Sequence, residues 1–203
     1  DSVADAGVKD VRDAIDAADA AFESWSGLTA YQRAGYLMEV HRLMLERQEA
    51  LARLMTEEQG KPLRMARTEV SYAADFLSWF AEEAKRVYGG TIPSSRADQR
   101  FLVLRQPIGV VGAITPWNYP ISMLTRKLGP AMAAGCTSVL KPAEATPLCA
   151  RETIRIFHDA GVPPGVVNLV SVSQPRIVGD ELLANPRVRK ITFTGSTEVG
   201  KYL

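Results

Sequence analysis

Apolar residues recur at three- and four-residue steps through the first half of the chain, the period of helices packed on one face. Val8, Val11, Ile15, Ala18 and Phe22 mark one such helix, which the spacing ends near Gly27. A second stripe, Leu37, Val40, Met44, Leu51, Leu54 and Met55, follows Thr29, whose hydroxyl suits a helix start, and stops at Gly60. A third helix is predicted from about Pro62 to Val87, with Val70, Ala74, Leu77, Phe80 and Ala84 on its buried face and Gly89-Gly90 as its stop. From Arg100 to Arg105 the period drops to two. Phe101 and Val103 are expected to point inward and Leu102 and Leu104 outward, as in a strand or hairpin arm.

Beyond Pro107 the pattern changes to short strand-like units separated by helical segments: Val110 to Ile114, Gly135 to Leu140, Val166 to Val170 and Arg189 to Thr194. Such alternation predicts a parallel sheet with right-handed crossovers. Open sheets of this kind hold ligands at the carboxyl ends of their strands. Those ends carry Trp117-Asn118, then Lys141 with Glu144, a serine-rich loop, and Gly195-Ser196 opening a helix, a set that suits a dinucleotide. Between Pro116 and Pro120 the loop is stiff, because each proline fixes φ and removes a donor. It would hold the Asn118 amide at one angle, a donor for an oxygen that gains negative charge; a packed turn with Asn118 bonded to its own backbone is the other reading.

Composition narrows the classes without choosing among enzymes. The 24 basic residues are interspersed with 23 acidic ones, so there is no footprint for nucleic acid. No apolar run reaches the length of a membrane span. Two cysteines and no signal-peptide pattern suit a reducing, cytoplasmic setting. Cys136 in a strand and Cys149 in a helical run read as packed thiols rather than nucleophiles, and no metal-ligand set is apparent.

Pro-Trp-Asn-Tyr-Pro at 116–120, Lys-Pro-Ala-Glu at 141–144 and Phe-Thr-Gly-Ser-Thr-Glu-Val-Gly at 193–200, in this order, resemble the aldehyde dehydrogenase superfamily, and the likeness extends over essentially the whole chain. Residues 57–62 and 69–93 are similar to the succinate-semialdehyde dehydrogenase branch. The resemblance implies an α/β fold: a helical N-terminal part of the cofactor-binding domain over residues 1–99, an oligomerisation arm at 100–107, and Rossmann-like NAD-binding βα units at 108–203. It also implies that the cysteine nucleophile and the glutamate base lie C-terminal to residue 203. These residues alone are then expected to be an inactive N-terminal portion, with a non-catalytic nucleotide-binding or oligomerising fragment, or a pseudoenzyme, as the alternative.

Roles follow from the same likeness. Asn118 matches the oxyanion-hole asparagine, and Lys141 and Glu144 match a clamp on the adenosine ribose. Ile114, Thr115, Pro116 and Trp117 match the nicotinamide-ribose side, and Gly195 and Ser196 the pyrophosphate site. Arg126 matches an arginine that binds the remote carboxylate of a small aldehyde substrate. A carboxylate at Glu144 would repel a 2′-phosphate, so NAD is expected over NADP. The arm implies a homodimer or homotetramer. One departure is the glycine-free run from Val170 to Val178, where the family has a glycine close to the cofactor.

Overall fold

The computed structural model describes residues 2–203. Helix α1 (Val8–Ser26) buries Val11, Ile15 and Ala18, while Phe22 is half-buried and Val8 exposed at its start. The second apolar stripe forms two helices rather than one, α2 (Ala30–Glu46) and α3 (Gln48–Gln59). They part at Arg47, which sits at φ −97° and ψ 13°, outside the helical well. The break lets both segments pack on α4 (Leu63–Ala84). Thr29 does cap α2: its Oγ1 accepts from the Gln32 N–H (3.3 Å), and Gln32 Oε1 accepts from the Thr29 N–H (2.9 Å).

Helix α4 ends before Val87, and Gly90 belongs to a strand instead of a stop. Strand β1 (Gly90–Ile92) pairs antiparallel with β2 (Phe101–Val103). The expected inward face of this arm is absent: Phe101 is 45% and Val103 42% exposed, against 73% for Leu102. Only the alternation in degree survives, because no layer of the described residues covers the ribbon.

The main sheet is parallel in the order β5-β4-β3-β6, built from β3 (Val110–Ile114), β4 (Thr137–Lys141), β5 (Val167–Leu169) and β6 (Val188–Phe193). The strands alternate with α5 (Ser122–Ala133), α6 (Pro147–Asp159) and α7 (Pro175–Ala184), and α8 (Thr197–Tyr202) follows. Every residue of β3 and β4 is buried, since helices cover both faces. Alternate side chains divide between two cores. Val110, Ile114 and Val139 join α1 and α7, while Ala113 and Leu140 join α5, α6 and the α2–α4 layer. No helix of the described residues is long and apolar enough to cross a membrane.

Candidate active site

After β5 the chain reverses direction and lays β6 on the far side of β3, so the strand order switches beside β3. Crevices open at such points at the carboxyl ends of strands. A cavity of about 750 Å³ lies there, lined by Ile114, Thr115, Pro116, Trp117 and Asn118 from the β3 end, Lys141 and Glu144 from the β4 end, and Gly195 and Ser196 after β6. The strand ends are tied together: the Thr115 N–H donates to the Lys141 carbonyl (3.1 Å) and the Thr194 N–H to the Ile114 carbonyl (3.1 Å). Arg126 does not line this cavity. It is exposed on α5 and makes no hydrogen bond or ion pair among the described residues.

Loop 115–121 is held through its carbonyls. Gln59 Nε2 donates to the Trp117 oxygen (2.9 Å) and Lys61 Nζ to the Asn118 oxygen (2.8 Å). The Asn118 side chain is exposed and makes no hydrogen bond among the described residues, so the Asx turn is not formed. The neighbouring Thr115 hydroxyl is buried and likewise lacks a partner among them. At the β4 end, Lys141 Nζ is ion-paired with Glu144; the lysine is buried and the carboxylate partly exposed at the rim. Ser196 Oγ accepts from the Val199 N–H (3.2 Å), a helix-capping bond.

Carboxylates from distant helices serve the helices that follow these loops. Neither Thr146 before α6 nor Ile121 before α5 makes a side-chain cap. Glu58 of α3 accepts instead from the Leu148 (2.6 Å) and Cys149 (2.9 Å) N–H groups at the start of α6. Glu69 of α4 does the same for α5. Both cysteines are buried, and burial, with Glu58 alongside, pushes the Cys149 thiol well above its usual range, which suits packing and not attack. The glycine-poor loop is braced from the N-terminal segment: Asp5 accepts from the Ser173 N–H (2.7 Å) and hydroxyl (2.7 Å), which holds its carboxyl below the ordinary value.

Lys127 joins the site although the sequence pattern does not single it out. It is buried, and its Nζ donates to Thr194 Oγ1 (2.8 Å) and Thr192 Oγ1 (3.3 Å) beside the cavity. Burial, with Arg126 nearby, lowers its pKa to about 8. Its signal was a charge set in an apolar helical stripe, between Leu124 and Leu128. Between pH 8 and the ordinary lysine value of 10.5, the unfolded chain holds a proton that the folded chain has released. Stability therefore rises with pH across that window, and the ammonium costs stability below it. Replacing Lys127 by methionine should flatten this rise by about 2 kcal/mol in denaturant titrations between pH 7.5 and 10. Equal slopes in parent and variant would show that this amine is not desolvated.

The sequence matches the aldehyde dehydrogenase family over residues 1–203. The chain belongs to that family. It is 56% identical to a succinate-semialdehyde dehydrogenase [NADP(+)] of Escherichia coli over 202 residues, 100% of this chain and 42% of that protein. It is 55% identical to a glutarate-semialdehyde dehydrogenase of Pseudomonas putida, over 97% of this chain and 41% of that protein. A crystal structure described as an E. coli NADP-dependent enzyme superposes with a TM-score of 0.97 at 56% identity, covering 99% of this chain and 42% of that one. The chain thus spans about two fifths of the length of the curated relatives it matches.

These relatives overturn the expected preference for NAD, since the E. coli protein and the solved neighbour are both named for NADP. The structure removes its premise as well. Glu144 is ion-paired with Lys141 rather than standing as an unopposed anion, and Arg176 is among the residues lining the same cavity.

Proposed function

We propose that this chain is the cofactor-binding portion of a longer dehydrogenase that oxidises a small carboxylated aldehyde, of the succinate- or glutarate-semialdehyde class, to its acid. One observation supports this above others: a single strand-end cavity gathers the Asn118 loop, the Lys141–Glu144 pair and the Gly195–Ser196 turn. The cavity suits a nicotinamide dinucleotide, NADP(+) in the named E. coli relative. When bound, that cofactor supplies the hydride acceptor. Lys141 and Glu144 present a donor and an acceptor to ribose hydroxyls. Residues 114–117 shape the wall against which the cofactor's reacting end lies. Asn118 donates its side-chain N–H to the aldehyde oxygen as the carbonyl carbon becomes tetrahedral and the oxygen takes up negative charge. The nucleophile and the base implied by the family likeness lie outside these residues. The exposed β1–β2 arm, with Phe101, Leu102 and Leu104 uncovered, supports assembly into a homo-oligomer.

Arg126, itself exposed on the largely buried α5 and free of ion pairs among the described residues, is assigned the substrate's remote carboxylate. In the full-length enzyme, Arg126→Leu should raise KM for succinate semialdehyde roughly tenfold to a hundredfold, the worth of a charge-assisted bond, and leave KM for butanal unchanged. Parallel changes for both aldehydes would remove Arg126 from substrate recognition. Absence of reduced-nicotinamide formation with any carboxylated aldehyde would remove the proposed activity.

A further inference from the structure

Glu69 is a charged residue where helix α4 turns its core face: Ala66, Val70, Ala73 and Leu77 share that stripe, and Glu69 itself is 2% exposed. A carboxylate so buried must have each oxygen satisfied. Oε1 accepts from the Ile121 N–H (3.0 Å) and the Ser122 N–H (3.2 Å), fixing the first turn of α5. Oε2 is ion-paired with Lys61 Nζ. The same ammonium donates to the Asn118 carbonyl (2.8 Å) and stands 4.2 Å from the centre of the Tyr119 ring. A carboxylate oxygen, a carbonyl and an aromatic face thus meet its three N–H bonds.

We propose that Glu69 and Lys61 are positioning residues for Asn118, and this rests on the oxyanion role given to Asn118 above. Holding the Asn118 carbonyl fixes the peptide plane that follows it, since that unit is rigid. Holding Ile121 and Ser122 fixes the far end of the same loop. Pro116 and Pro120 carry no N–H, so the loop is grasped through the oxygens of Trp117 and Asn118 rather than through a ladder. The Asn118 amide is left with its side-chain torsions as its only freedom. Its aim therefore depends on a buried ion pair that does not line the strand-end cavity.

The test is the first-turnover rate of hydride transfer in the full-length enzyme, for Lys61→Met, Asn118→Ala and the double variant. Lys61→Met keeps the stem and removes the ammonium. It should slow the first turnover about tenfold, as a slight misplacement of a reacting group does, with KM for the cofactor unchanged. In the Asn118→Ala background the same change should cost less than about twofold, because the group it aims is gone. A full tenfold loss in both backgrounds would make Lys61 a matter of folding alone and overturn the proposal, as would an unaltered rate in Lys61→Met. Gln59→Leu, which releases the Trp117 carbonyl, carries the same comparison should Lys61→Met fail to fold. A parent-like rate in Asn118→Ala alone would remove the oxyanion reading itself, and this proposal with it.

Discussion

Alanine in place of Asn118 is expected to slow the first turnover of the full-length enzyme by about 10²–10³-fold, the loss found when one oxyanion donor is removed. The expectation rests on how the residue is presented. Its backbone is pinned by Lys61, prolines stand on both sides, and its amide is exposed at the cavity with no partner among the described residues. An amide left unpaired in a stiff loop is already oriented before an anion forms, so little reorganisation accompanies the reaction. Asn118→Asp should be at least as slow, because a carboxylate repels the developing charge. A variant with a higher KM and an unchanged first-turnover rate would place Asn118 in ground-state binding instead.

Gly165→Ala should lower the free energy of unfolding by about 3 kcal/mol, through two separable causes. Gly165 lies before β5 with φ at +85°, where a side chain costs about 1–2 kcal/mol. A Cβ there would also stand 2.6 Å from the Ala17 carbonyl oxygen and 2.8 Å from the Ala21 Cβ, inside the contact between this loop and α1. Relieving that overlap means moving α1 off the sheet, an overpacking cost of about 1–3 kcal/mol. Gly161 separates the two terms, since its φ is +77° but nothing lies within 4 Å of its would-be Cβ. Gly161→Ala should therefore lose only about 1–2 kcal/mol in the same denaturant titration. Equal losses at both positions would mean that α1 does not approach this loop so closely.

What could be read from the sequence follows what each element is packed against. Strand β3 stood out as a continuous apolar run because helices bury both of its faces; β4, buried throughout, carries Thr137, Ser138 and Lys141 as well. The break at Arg47 was hidden, since Val40, Met44, Leu51 and Met55 keep helical spacing across it. Gly90, with Gly89, looked like a helix stop; only the pairing of Gly90–Ile92 with Phe101–Val103 makes it the start of a strand. At the site, the strand-end loops were legible because Pro, Asn, Lys-Glu and Gly-Ser punctuate apolar runs in order. Lys127, Glu69 and Arg176 were not, since a single charge in a helical pattern reads as a solvated position. It takes the fold to reveal the first two as buried and the third as part of the cavity wall.

The strand order also sets when the crevice can exist. Strands β3 and β4 each pair with the next strand in the chain as they leave the ribosome, so that part of the sheet can assemble as it is made. The β3–β6 ladder must wait for two further βα units, and its closure carries the entropy of that long loop. The Thr194–Ser196 wall is thus the last side of the crevice to arrive. A dinucleotide lying across β3 and β6 would act as a clasp on that closure, favouring the paired β3–β6 ladder over a nascent sheet whose edge at β3 is still bare.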